Sequence, residues 1–137
     1  MKYIFILLIF FIPVSSFFQQ TVSVKGKLTC GNSDLSNTKV KLWDKNTIGS
    51  DTLLNETTTD MYGQYSLYGG SSSLFKMNVL LKIYHDCNDS FKPCQRKNSF
   101  RIPDQYIFRS SIPSTIFNAG TLNMSLKYPD EERSCIN

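Results

Sequence analysis

The residues best placed to do chemistry lie in one short stretch, His85-Asp86-Cys87-Asn88-Asp89-Ser90-Phe91-Lys92-Pro93-Cys94. An imidazole, two carboxylates and two thiols this close together raise three kinds of chemistry: proton transfer, metal binding and thiol exchange. Proton transfer by a His–Asp pair needs both side chains in one site. His85 and Asp86 are adjacent at the end of an alternating apolar run, and neighbours on a strand point to opposite faces. The pattern predicts instead that His85 hydrogen-bonds a loop and Asp86 caps the turn. Zinc is a poor fit, because the chain holds one histidine and no close cysteine pair. Calcium asks for six or more oxygens, and Asp86 with Asp89 supplies only part of such a shell. Thiol redox catalysis favours a Cys-x-x-Cys spacing that no pair here has. The residues therefore predict no catalytic group, no metal ligand and no cofactor.

The thiols read as staples. Met1-Lys2 is a short positive start, Tyr3 to Ile12 an unbroken apolar and aromatic run, and Pro13-Val14-Ser15-Ser16 a small-residue cleavage site. This predicts a secretory signal peptide over 1–16, cut after Ser16. The run is shorter than the roughly 20 apolar residues that span a bilayer, and no second such run follows, so no membrane span is expected. Removing residues 1–16 from the 137 leaves 121, read as a single domain over 17–137 with a tethered C-terminal tail. In an oxidising compartment Cys30, Cys87, Cys94 and Cys135 predict two disulfides. Cys87–Cys94 with Cys30–Cys135 is favoured, because Asn88, Asp89, Ser90 and Pro93 let the short loop turn. Cys30–Cys87 with Cys94–Cys135 is the rival. Asn55, Asn88 and Asn123 each begin a glycosylation triplet.

The elements that must position these groups are strands. Val22, Val24, Gly26, Leu28 and Cys30 alternate with polar residues, as a half-buried strand requires. Val40 and Leu42 alternate with Lys39 and Lys41, with Trp43 on the outward phase. Leu53 to Thr59 is a threonine-rich strand, Asp60-Met61-Tyr62-Gly63 a tight turn, and Gln64 to Tyr68 the next strand. Gly69 to Ser73 reads as a flexible loop. Asn78 to Asp86 is apolar on both faces, which suits the middle of a sheet. Phe100 and Ile102 lead to Pro103, Tyr106 to Phe108 is a short strand, and Ile116 to Leu126 closes the set with Leu122, Met124 and Leu126 inward. Glu131-Glu132-Arg133 reads as a tail or the start of a short helix. Tyr106, Phe108 and Phe117 read as core. Seven to eight short strands with regular turns predict an all-β sandwich or partly open barrel.

Several blocks together carry a resemblance: Val24 to Cys30, Val40 to Asp44, Asp51 to Leu54, Thr59 to Tyr65, Tyr84-His85-Asp86-Cys87, Pro93 to Lys97, Ile102-Pro103 and Ala119 to Met124, with all four cysteines. In this order they resemble the transthyretin-like family of secreted nematode proteins. The resemblance implies a transthyretin-like (prealbumin-like) β-sandwich and secretion. It brings no uniform activity: some members are described as bridging factors that recognise phosphatidylserine on dying cells, others are secreted by parasites or have no known role. The chain departs from the family pattern at Asp51-Thr52, where two acids are common, and at Tyr128-Pro129-Asp130, where Phe-Pro-Gly is usual. The wider superfamily includes hydroxyisourate hydrolases, but these need several histidines, a basic clamp and a Tyr-Arg-Gly-Ser ending. This chain has His85 alone and ends Cys135-Ile136-Asn137, so the enzyme reading is remote.

The formal charge of +4 is mild and scattered, which does not imply nucleic acid. Lys92, Arg96, Lys97 and Arg101 are close in sequence and are the candidate surface-binding residues, toward anionic head groups or an acidic receptor. The expected role is that of a secreted, non-enzymatic binding protein whose partner is an extracellular protein or an anionic lipid surface. The alternative is a carrier of a small apolar ligand, which by analogy with transthyretin needs a tetramer.

Overall fold

β1 (Gln19–Cys30) organises the first of two sheets in the computed structural model, which describes residues 18–46 and 48–137. The expected signal peptide lies outside the described residues. Val22, Val24 and Leu28 are fully buried along one face of β1, as the alternation requires. β2 (Ser33–Asp34) and β5 (Gln64–Ser72) run antiparallel along one edge of β1, and β8 (Phe117–Asn123) runs parallel along the other. The second sheet is antiparallel throughout, in the order β4 (Thr52–Thr58), β3 (Lys39–Asp44), β6 (Val79–His85), β7 (Gln95–Arg101), β9 (Glu132–Ser134). The strand read as apolar on both faces, β6, is its centre. The core between the sheets unites Val22, Val24, Leu28, Val40, Leu42, Leu67, Val79, Leu81, Ile83, Ile102 and Met124, a two-layer solution to burying two half-apolar sheets.

The Asp60–Gly63 turn is built from its own side chain. Asp60 Oδ1 accepts from the N–H groups of Tyr62 and Gln64, and Gly63 N donates to Asp60 O. Gly63 has φ 73, and a Cβ there would stand 2.2 Å from Leu28 O, so glycine is required on both counts.

Four local expectations change. Gly69 to Ser72 is not a loop but the end of β5, where Gly70 pairs with Thr21. Glycine serves there because the second sheet comes close: a Cβ on Gly69 would lie 2.9 Å from Leu54 Cβ. Asp104–Tyr106 is a 3₁₀ turn after Pro103 and not a strand, with only Phe108 bridging to Thr21. The last long strand stops at Asn123, whose Oδ1 accepts from Ser125 N and Oγ, so Met124 is buried while Leu126 is 55% exposed. Glu132–Ser134 is neither tail nor helix, since Gln95 pairs with Ser134 to extend the second sheet. Tyr106 and Phe117 pack together at 4.9 Å against the core, as expected of them.

Candidate functional site

The two faces of the second sheet carry the groups of interest. On the inner face, at the end where β6 stops, His85, Arg96 and Asn98 are all buried. The β6–β7 register sets His85 opposite Arg96 and Ile83 opposite Asn98. Arg96 makes five hydrogen bonds: Nε and Nη2 to Glu131 Oε1 at 3.1 and 2.6 Å, Nη1 to the carbonyls of Cys87 and Met124 at 2.8 and 2.9 Å, and Nη2 to Leu126 O at 3.0 Å. That uses the whole donor set of a guanidinium. His85 Nδ1 accepts from Cys87 N at 3.1 Å, which leaves Nε2 to donate to Asn98 Oδ1 at 2.7 Å. Asn98 Nδ2 in turn donates to Glu131 Oε1 at 3.1 Å. Burial pushes the His85 imidazole below its ordinary value. The Arg96 and Asn98 hydrogen bonds hold Glu131 below the usual carboxylate range.

The favoured disulfide pairing is overturned. The bonds are Cys30–Cys87 and Cys94–Cys135, with Cα–Cα distances of 5.7 and 4.3 Å, and no free cysteine stands among the described residues. β6 ends at His85 and the chain turns at once, Asp89 N bonding Asp86 O. The turn carries Cys87 inward, 4% exposed, against Cys30 of the other sheet. Cys94, at φ 66, faces the tail brought in by β9. The loop that made a short bridge look easy is the loop that parts the two thiols.

Asp86 and Asp89 are engaged by different partners. Arg133 Nη1 and Nη2 hold both oxygens of Asp89, which is buried, and keep its carboxyl low, while Asp86 Oδ2 accepts from Gln95. Among the described residues no three His, Cys, Asp or Glu side chains are grouped to hold a metal ion.

The predicted basic segment does not form one patch. Arg96 faces inward and is spent on the cluster above, a correction that follows from strand alternation: Arg96 and Lys97 must face opposite ways. Lys92 sits in the exposed loop of the cysteine hairpin. Lys97 and Arg101, four apart, share the outward face, where Lys97 pairs with Glu132 at 3.4 Å and Arg101 with Asp104 at 3.1 Å.

That outward face holds a cationic group assembled across strands. Register sets Lys39 beside Tyr84 and Lys97, Lys41 beside Lys82 and Ser99, and Trp43 beside Leu80 and Arg101. Lys41 Nζ lies 5.2 Å from the Tyr84 ring centre and 5.9 Å from that of Trp43, and Lys82 Nζ lies 5.3 Å from Trp43. Lys41 and Lys82 are directly opposed like charges, an arrangement that destabilises a sheet. Lys41 reaches Glu56 at 3.6 Å, but neither Lys39 nor Lys82 has an ion-pair partner among the described residues. Burial, then the neighbouring Lys97, lowers the Lys82 ammonium below its ordinary value. Sequence reasoning missed Lys39, Lys41 and Lys82. Their outward phase was the only signal, and it gave no register.

The sequon asparagines are spread. Asn55 is exposed on β4, its Nδ2 donating to Tyr68 O at 2.7 Å; Asn88 is exposed at φ 51; Asn123 is half-buried, its Oδ1 also accepting from Gly31 N. A cleft of about 600 Å³ lies against the first sheet, lined by Lys25, Lys27, Asp60, Gln64, Tyr65 and Asn118 among others.

A model of the transthyretin-like family matches residues 25–103. The chain belongs to the transthyretin-like family. It is 46% identical over 120 residues to transthyretin-like protein 33 of Caenorhabditis elegans, covering 87% of this chain and 84% of that one. It is 36% identical over 139 residues to transthyretin-like protein 46 of the same organism, covering 99% and 78%, and 36% identical over 118 residues to transthyretin-like protein 5, covering 85% of each. These relatives are named transthyretin-like proteins and not enzymes. The two sheets and two disulfides form a transthyretin-like β-sandwich. The blocks that carry the family resemblance are scaffolding: Asp60 and Gly63 make the turn, while His85, Cys87 and Arg96 make the buried cluster. Asp130, where a Phe-Pro-Gly turn is usual in the family, takes φ 63, the left-handed conformation that glycine serves and Asp tolerates. No helix among the described residues is long and apolar enough to cross a membrane.

Proposed function

We propose that the protein is exported, with residues 1–16 removed and 17–137 forming a single domain, and that it acts outside the cell as a non-enzymatic binding protein for an anionic extracellular surface. The observation that carries export is the state of the thiols: four cysteines in two bridges belong to an oxidising compartment. The observation that favours binding over catalysis is the use made of the one histidine. His85 has both nitrogens spent inside the fold, where it cannot serve a substrate. The contact surface in this reading is the lysine face of the second sheet, in place of the Lys92 to Arg101 segment. Asn55, Asn88 and Asn123 are proposed acceptors of sugar, Asn88 first, since it is exposed on a loop.

The test is expression of the full chain in a secreting eukaryotic host. Protein from the medium should begin at Phe17, titrate no free thiol when denatured, and yield peptides linked Cys30–Cys87 and Cys94–Cys135. It should bind the exterior of intact cells and be released by salt, as screened charge requires. Retention inside the cell with free thiols would sink the export reading. Failure to bind any cell exterior at low salt would sink the binding reading.

A further inference from the structure

We infer that the outer face of the second sheet binds a linear sulfated polysaccharide, laid along β3, β6 and β7 over Lys39, Lys82, Lys97 and Arg101. The inference rests on the binding reading above and names its ligand.

Three features of the face select that ligand. The first is charge compensated only in part, by Glu56 at Lys41, Glu132 at Lys97 and Asp104 at Arg101. Lys41 and Lys82 oppose one another across the β3–β6 pair, Lys97 crowds Lys82, and Lys39 and Lys82 have no carboxylate at ion-pair distance among the described residues. A sheet that keeps opposed like charges gives up stability, and a polyanion placed over them removes the repulsion. The second is shape. The cations span four residues along the strands and three strands across, a band of about 13 by 10 Å. It is bounded by Glu56 on β4 and Glu132 on β9, whose side chains are 46% and 67% exposed. A flat anionic bilayer laid on this face would press both carboxylates against its own charge, whereas a single chain running with the strands passes between them. The third is the surface between the cations. Trp43 is half-buried and Tyr84 is buried among lysine stems. Neither ring projects to insert among lipids. The exposed part of Trp43, beside the 42% exposed Leu53, offers a flat apolar strip for the C–H face of a sugar ring. Sulfate esters keep their charge at any physiological pH, so binding of this kind is governed by salt.

Trp43 is the only tryptophan of the chain, so its fluorescence reports on this face directly. The folded, disulfide-bonded protein is titrated with a heparin hexasaccharide, with the same hexasaccharide stripped of sulfate, with hexaglutamate, and with phosphatidylserine vesicles. The sulfated sugar should change the Trp43 emission, and its affinity should fall steeply with salt. Sugar without sulfate and hexaglutamate should bind at least about tenfold more weakly. The triple variant Lys39→Gln/Lys82→Gln/Lys97→Gln should weaken binding by about tenfold or more. The charge-matched variant Lys25→Gln/Lys76→Gln/Lys92→Gln, altered at exposed sites off this face, should bind within about twofold of the parent; thermal melting checks that both fold. Equal weakening by the charge-matched variant would reduce the effect to net charge and overturn the inference. So would hexaglutamate or vesicles binding as tightly as the sulfated sugar. Protein that binds cell exteriors yet ignores the hexasaccharide overturns the polysaccharide alone; protein that binds neither overturns the wider reading.

Discussion

The two faces of the second sheet hold their positive charge in opposite ways. On the inner face Arg96 is buried and every donor is matched: one carboxylate and three carbonyls receive its five bonds. On the outer face Lys39, Lys41 and Lys82 stand beside one another with one weak carboxylate contact, at 3.6 Å, among the three. The inner charge ties β7 to the Cys87 turn, to the end of β8 and to the segment before β9, so it serves the fold. The outer charges are only partly compensated, by Glu56 and Glu132 at the edges of the face, and Lys41 and Lys82 repel across the β3–β6 pair, which is how a face looks when more counter-charge comes from a partner.

The largest effect expected from breaking this contrast is on the inner face. Arg96→Ala strands Glu131, whose side chain is 12% exposed, and leaves three carbonyls unmet. The loss should be about 3 kcal/mol or more in urea unfolding. Arg96→Lys should recover only part of it, because an ammonium cannot repeat the five-bond fork. A loss under about 1 kcal/mol would place Arg96 among ordinary surface cations.

Acid should act next, and again on the inner face. Burial lowers His85, so the unfolded chain takes up its proton first; the stability given by the neutral ring is whole above about pH 6.5 and drains as pH falls through the lower folded value. Glu131 and Asp89, lowered by their Arg96 and Arg133 hydrogen bonds, contribute fully above the ordinary carboxylate range of about pH 4 and are lost below it. The melting temperature should therefore fall in two stages on acidification. His85→Gln should remove the stage that begins near about pH 6.5 and keep the lower one. An unchanged upper stage in that variant would mean that His85 does not titrate on unfolding.

The smallest effect, and of opposite sign, belongs to the outer face. Lys82→Glu sets a carboxylate opposite Lys41 and beside Lys97, and should stabilise by about 0.5 kcal/mol at low salt, fading as salt rises. The same change should weaken heparin binding. Stability lost at Lys82, with binding kept, would assign the outer lysines to the fold and erase the contrast.

The sequence by itself determined the strands, because an alternation of period two states which side chains must leave water. Val22 to Leu28, Val40 and Leu42, and Val79 to Ile83 were legible in this way, as were the Asp60–Gly63 turn and the central place of β6. It also determined that four cysteines would be staples, since their spacing fits neither zinc nor redox exchange. It did not determine which thiol meets which, nor which of Arg96 and Lys97 would face the core, nor that Lys39, Lys41, Lys82 and Lys97 would share one face. Those facts depend on register and on the course of one turn. A pairing shifted by one residue moves every side chain to the other face without changing the sequence. The turn after His85 sends Cys87 across to Cys30 because the opposing sheet stands there to receive it. Alternation is a local property and can be read along the chain. Neighbourhood across strands arises only when the sheets assemble, and in this protein it decides both the buried clamp and the charged face.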